Sequence, residues 1–212
     1  MIEPDFLTAT RTAYDGAAPE YAELIPGHYR SRPLAHALIP LFTELVLASG
    51  GGLVADAGCG PGHITAHLHT LGLTVFGVDL SPEMIAFARN AHPELRFEVG
   101  QLNALPVEDA TLAAIVANYS IIHTPPAHLP ATFTEFHRAL RPGGHLLLGF
   151  QSGDAPAEPF DHQVTLAYRY SPAHVIDVLT NAGLTEVGRL LLAPGEDPTR
   201  GFPHAYIIAR RD

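Results

Sequence analysis

From about residue 49 onward, two rhythms of apolar and polar positions alternate along this chain. Short, almost wholly apolar runs read as strands buried on both faces: LVADAG (53–58), LTVFGVDL (73–80), LRFEVG (95–100), TLAAIVANYS (111–120) and HLLLGFQ (145–151). Between them HITAHLHTL (63–71), SPEMIAFARNA (81–91) and LPATFTEFHRAL (129–140) repeat their apolar residues at helical spacing. Ser81 before Pro82 supplies a helix start, and RPGG at 141–144 a stop. Ahead of this alternation the pattern predicts two helices. One runs from Asp5 to Ala17 and ends near Asp15-Gly16; the other runs from Pro33 to Ala48, with Leu34, Leu38, Leu41 and Leu45 in register. PEYAELIPGHYRSR between them has no regular period. After Gln151, SGDAPAEPFD reads as irregular, VTLAYRY (164–170) as a short strand and SPAHVIDVLTNAG (171–183) as a helix stopped by Gly183. EVGRLLLA (186–193) and HAYIIAR (204–210) close the chain as an antiparallel edge pair. Strand and helix in strict alternation imply an α/β fold, a parallel sheet covered by helices on both faces.

Composition narrows the function more than the fold. The 212 residues suit one domain, and 47% hydrophobic with 16% charged residues describes an ordinary globular chain. Twelve basic against 22 acidic residues give a net charge of −10. Such a surface repels phosphate backbones, so nucleic acid is not expected as a partner. No apolar run reaches the roughly 20 residues of a membrane span, and no basic segment leads an apolar one at the start. A single cysteine, Cys59, allows no internal disulfide. A cytoplasmic location is the expectation from these signals.

The chemistry concentrates in VADAGCGPGHI at 54–64, the turn after the first core strand. In a sheet of this kind ligands bind at the carboxyl ends of the strands, where the strand order reverses. Gly58, Gly60 and Gly62 let backbone approach a ligand closely. Their G-x-G-x-G spacing, with Asp56 two residues ahead, differs from the G-x-G-x-x-G of dinucleotide folds, and no phosphate-binding P-loop is present. Asp79 ends the second strand 23 residues after Asp56, the offset of an acid that accepts from both ribose hydroxyls. Met84, one turn into the next helix, fits either an adenine face or the core.

Taken together, DAGCGPG, VDLSPEM, GQLNALP and LRPGG before an apolar strand resemble the class I S-adenosylmethionine-dependent methyltransferases. The small-molecule members are the nearest, and the resemblance covers about residues 12–150. It implies a Rossmann-like, seven-stranded, mostly parallel sheet with a C-terminal antiparallel hairpin and an N-terminal helical cap. A single methyltransferase domain would then divide into a cap (1–48), a cofactor-binding core (49–151) and a substrate-side segment with closing strands (152–212). It also implies a cofactor site for S-adenosylmethionine, with S-adenosylhomocysteine as product. Asp56, Ala57, Gly58, Cys59 and Gly60 match the first motif along the methionine part, and Asp79 with Leu80 matches the ribose acid. Gly100, Gln101 and Leu102 match the adenine stretch, where Gln101 replaces the family's usual Asp. Asn118 matches a position along the methionine moiety, while by analogy Tyr21 and Arg32 in the cap are candidate donors for the cofactor's carboxylate, the alternative being surface display or cap packing.

The implied activity is methyl transfer to a small-molecule acceptor by in-line displacement. His123, just past the fourth strand, is the expected general base where the acceptor must lose a proton. His162, Tyr168, Arg169 and His204 are expected around the acceptor. His63 and His67 lie four apart on a helix, but no third ligand joins them, so no metal is expected. No membrane partner is expected, and the oligomeric state is open. The rival reading is a protein that keeps the cofactor without transferring a methyl group, of a cyclase or binding type. A nicotinamide-dependent dehydrogenase is disfavoured by the spacing of the first motif.

Overall fold

The computed structural model describes residues 5–31, 33–197 and 199–212. Its centre is a seven-stranded sheet in the order β3-β2-β1-β4-β5-β9-β8. The strands are β1 (Leu53–Ala57), β2 (Thr74–Asp79), β3 (Arg96–Val99), β4 (Leu112–Asn118), β5 (Leu140–Gln151), β8 (Leu184–Leu192) and β9 (His204–Arg211). The first five are parallel; β9 runs antiparallel to β5 and to β8, which is the closing pair expected from the sequence.

Side chains of β4 alternate between two cores. Ile115 and Ala117 join Phe133, Phe136, Val175 and Leu179, beneath α5 (Leu129–Ala139) and α6 (Pro172–Asn181). Ala114 and Val116 join Phe42, Val46, Ile64 and Leu68, beneath α2 (Leu38–Ala48) and α3 (His63–Thr70). Burial on both faces explains why these strands read as unbroken apolar runs. The strand order reverses at β1 and β4, so their carboxyl ends open a crevice there.

Local chemistry sets most boundaries. The Ser81 hydroxyl accepts the N–H of Met84 (3.1 Å) at the start of α4 (Pro82–Ala91), and Ser171 accepts that of His174 (3.1 Å) at the start of α6. The segment expected as one helix from Pro33 is a 3₁₀ turn, Pro33–His36, followed by α2. Pro40 has no N–H to give and fits only in a first turn, so the helix begins at Leu38. The stop expected at RPGG is instead the start of β5, since Leu140 is already extended and pairs with Leu112.

Two larger departures bear on the site. α1 (Asp5–Ser31) is one helix of 27 residues that passes through Gly16 and Pro19, where a break was expected. Tertiary contacts hold it. The Asp15 carboxylate accepts the Ser81 hydroxyl (2.5 Å) and the N–H of Glu83 (3.4 Å), and Arg11 Nε donates to the carbonyl of Leu80 (3.4 Å). Asp15 thereby sits at the positive end of α4, which favours a negative charge. The second departure is a separate antiparallel hairpin, β6 (Ala157–Asp161) with β7 (Leu166–Tyr170). Pro159 and two acidic residues hid β6, but in a two-stranded ribbon proline is tolerated, and the Glu158–Arg169 ion pair joins the strands. No described helix is long and apolar enough to cross a membrane.

Candidate functional site

The turn after β1 is built from backbone that side chains would block. Gly58, Gly60 and Gly62 have φ of +81°, +52° and +85°. A Cβ on Gly58 would lie 2.2 Å from Ser120 Cβ, so the loops after β1 and β4 meet only because residue 58 has none. The N–H groups of Gly58 and Cys59 donate to the carbonyl of Val78 (2.7 and 3.0 Å), tying the turn to β2.

Asp79 closes the other side. Its Oδ2 accepts the N–H of Gly60 (2.8 Å) and its Oδ1 that of Ser81 (2.9 Å), so backbone from two loops fixes the carboxylate while each oxygen keeps capacity to accept from a ligand. Burial raises its pKa, against the lowering effect of those two N–H groups. Asp56 is 1% exposed, and its Oδ2 accepts the Thr65 hydroxyl (2.6 Å). Burial lifts its pKa to about 7, partly opposed by the Thr65 bond and reinforced by the charge of Asp79. Two buried carboxylates side by side suit a ligand that brings positive charge.

A cavity of about 440 Å³ extends from these acids across the sheet edge. Several expected residues border it: Tyr21 from α1, then Asp56, Gly58, Cys59 and Gly60, and then Asp79 and Leu80. Gly100, Gln101 and Leu102 follow along one wall, and Asn118, His123 and His162 along another. Other expected residues lie away from the cavity lining. Ala57 and Met84 are core residues, at 0% and 1% exposed, because the pleat of β1 and the inner face of α4 turn them away from the crevice. Tyr168 packs its ring near that of Tyr170, and Arg169 is held by Glu158 and the Phe202 ring in the hairpin; neither borders the cavity. His204 lies behind the wall, against Tyr119. Arg32 lies outside the described residues.

The structure adds residues that sequence reasoning missed or rated low. Tyr14 of α1 bonds His123: its hydroxyl lies 2.7 Å from Nε2, and His123 Nδ1 lies 3.0 Å from the carbonyl of Leu166. A carbonyl can only accept, so Nδ1 carries the proton and the Tyr14 hydroxyl donates to Nε2. Burial pulls the His123 pKa to about 4, despite the Leu166 carbonyl, and raises that of Tyr14. Tyr21 meets Tyr14 edge-on, ring centroids 5.5 Å apart, and burial followed by the Asp79 charge pushes its phenol up to about 12. Asn103, Ser120 and Gln151 also border the cavity. Asn103 Oδ1, Ser120 Oγ, Gln151 Oε1 and His162 Nδ1 are buried without a hydrogen-bond partner among the described residues. Buried polar atoms are ordinarily paired, so their collection around one cavity fits a polar ligand that would pair them. Asn103 and Ser120 lie within two residues of Gln101 and Asn118, a proximity that could have drawn them in.

Fold and site together define a Rossmann-like protein with a polar-lined cavity and two buried carboxylates at the β1–β4 crevice. Residues 54–144 match the family model of a methyltransferase domain. The chain is 36% identical over 100 residues to the malonyl-[acyl-carrier protein] O-methyltransferase of Pectobacterium atrosepticum, across 47% of this chain and 39% of that protein. It spans about two fifths of the length of the curated relatives it matches first. Among solved structures it resembles the 1,6-didemethyltoxoflavin-N1-methyltransferase of Burkholderia thailandensis, solved with 1,6-didemethyltoxoflavin and S-adenosylhomocysteine. The TM-score is 0.77 at 22% identity, over 100% of this chain and 91% of that one. It also resembles the magnesium protoporphyrin IX methyltransferase of Synechocystis with bound S-adenosylhomocysteine, with TM-score 0.75 at 19% identity, over 98% and 100%. Over residues 54–144 the chain is thus similar to a methyltransferase domain, and its fold is that of the two methyltransferases solved with S-adenosylhomocysteine.

Proposed function

We propose that the chain transfers a methyl group from S-adenosylmethionine to a small-molecule acceptor. The observation that carries this reading is the pair Asp79 and Asp56 at the strand-order switch, one fixed by two backbone N–H groups and the other buried. In this reading Asp79 accepts from the ribose hydroxyls. Asn103 Oδ1, beside Gln101, accepts from the adenine amine. Asp56 and Ser120 Oγ face the α-ammonium. Bound there, the donor would supply a sulfonium-activated methyl carbon, to which the acceptor's electron pair would bond in line as the carbon–sulfur bond breaks and S-adenosylhomocysteine leaves.

The residues of the chain hold the acceptor, exclude water and handle its proton. His123 stays neutral at physiological pH and fixes the Tyr14 hydroxyl over the cavity. Any proton that it takes from an acceptor passes through that hydroxyl. The malonyl-[acyl-carrier protein], toxoflavin-precursor and porphyrin enzymes support small or carrier-borne acceptors as a class. Calorimetry with S-adenosylhomocysteine tests the reading: micromolar binding supports it, and binding of a nicotinamide dinucleotide in its place overturns it.

A further inference from the structure

Charge is spread unevenly around the cavity. Asp79 accepts the N–H of Gly60, and a Cβ on Gly60 would lie 3.9 Å from the Tyr21 ring. From there a row of edge-on rings leads away from the carboxylate. Tyr21 meets Tyr14 with centroids 5.5 Å apart, and Tyr14 meets His123 at 5.3 Å. His123 then meets His162 at 5.0 Å, and His162 meets Phe160 of β6 at 6.1 Å. Arg200 closes the row. Its guanidinium lies 5.4 Å from the Phe160 ring centre, and its Nη1 donates to the carbonyl of Asp161 (2.6 Å).

Among the described residues that border the cavity, Arg200 is the one lysine or arginine. A guanidinium carries five N–H donors, and the Asp161 carbonyl takes one of them. No ion pair among the described residues includes Arg200, whereas Arg169 in β7 is paired with Glu158. Asp197 also borders the cavity, and its carboxylate accepts the backbone N–H groups of Thr199 (3.1 Å) and Arg200 (3.3 Å). The two imidazoles of the row add no charge at physiological pH. Burial, then the charges of His123 and Arg200, lower the pKa of His162 to about 3, and burial lowers that of His123 to about 4. Gln151 borders the cavity too and is 7% exposed; its Oε1 and His162 Nδ1 are buried without a hydrogen-bond partner among the described residues. Such atoms point to a polar ligand beside them.

We propose that the acceptor is an aromatic carboxylate, its carboxylate held by Arg200 and its ring lying along Tyr14, His123 and His162. This rests on the methyltransferase reading and names the substrate class for it. A guanidinium grips a carboxylate through two parallel N–H bonds, and a row of rings buries a flat apolar face. The carboxylate is the anchor and not the methylated group, because Arg200 stands at the end of the row remote from Asp79. The nucleophile is carried on the opposite side of the acceptor's ring, toward the donor. Gln151 Oε1 accepts from a polar substituent of that ring and fixes its rotation.

The probes are 2-naphthoate and its neutral counterpart 2-naphthamide, added to protein loaded with S-adenosylhomocysteine. The chain has no tryptophan, so naphthalene fluorescence reports their binding directly. The unaltered protein should bind naphthoate at least about tenfold more tightly than naphthamide, the worth of a hydrogen bond to a charged group. Arg200→Gln should bring the two probes to within about twofold of each other, with S-adenosylhomocysteine affinity also within about twofold of the unaltered protein. Arg189→Gln, an equal change of charge on β8, should keep the full preference. Equal binding of the two probes by the unaltered protein, or binding of neither, overturns the proposal without any variant having to fold. A preference that survives in Arg200→Gln, or disappears in Arg189→Gln, overturns it as well, and all four results leave the methyltransferase reading standing. Absence of S-adenosylhomocysteine binding overturns that reading itself.

Discussion

Tyr14 and His123, 109 residues apart in the chain, meet through a 2.7 Å hydrogen bond that closes α1 over the cavity. Together with the Asp15–Ser81 bond it pins the helix at both ends of the site. Tyr14→Phe removes the donor and leaves a buried imidazole nitrogen unpaired, at a cost of about 1–3 kcal/mol. Urea unfolding should register that loss. Hydrogen exchange across residues 5–20 should quicken in the ligand-free protein, because the helix opens more often. Unchanged exchange would assign closure to Asp15 and Ser81 alone.

Asp79 separates two functions that one substitution can distinguish. Asp79→Ala deletes the acceptor for Gly60, Ser81 and the ribose together, whereas Asp79→Asn keeps one oxygen and the side-chain volume. Calorimetry with S-adenosylhomocysteine should find Asp79→Ala weaker by about a hundredfold, in keeping with two lost hydrogen bonds to a charged group. Asp79→Asn should fall between the two. Equal affinity in all three proteins would remove Asp79 from the site.

What the sequence disclosed follows from distance along the chain. The strands were legible because burial on both faces leaves uninterrupted apolar runs, and Asp79 because its contacts to Gly60 and Ser81 come from the adjoining turns. The continuity of α1 was not, since Gly16 and Pro19 break helices locally and contacts with residues 80–83 and with His123 override them. Met84 matched a motif position, yet the inner face of α4 carries it into the core. His204 was marked for the acceptor pocket, but its partner Tyr119 lies 85 residues earlier, and nothing in the sequence joins the two.

Asp56 gives the ligand-free protein a pH dependence of definite sign. Its carboxyl ionises near 3.8 when unfolded and near 7 when folded. The native state therefore holds a proton that the unfolded chain has lost, and stability falls as pH rises from about 4 to 7, by at most ~4 kcal/mol. A bound ammonium favours the ionised carboxylate, so S-adenosylhomocysteine affinity should rise roughly tenfold between pH 6 and pH 8. Asp56→Asn should flatten both curves. The lowered pKa values of His63 and His123 act on both proteins alike and cancel in the comparison. Parallel pH profiles for the two proteins would sink the assignment of Asp56 to the ammonium.

The contact between Gly58 and Ser120 offers the sharpest test of the crevice itself. An alanine at 58 meets two separate penalties: a φ of +81°, which costs about 1–2 kcal/mol, and a Cβ 2.2 Å from that of Ser120. Gly58→Ala alone should cost about 3 kcal/mol or more and abolish S-adenosylhomocysteine binding, because the β1 and β4 loops must part. Ser120→Gly removes the overlap but not the dihedral. The double variant should therefore regain about half of the lost stability, with a coupling energy of at least ~1 kcal/mol in the cycle. It should also regain measurable binding, though below that of Ser120→Gly alone. Simple additivity would mean that the two loops do not touch in solution, and the cavity would then be wider at its cofactor end than the Gly58–Ser120 contact allows.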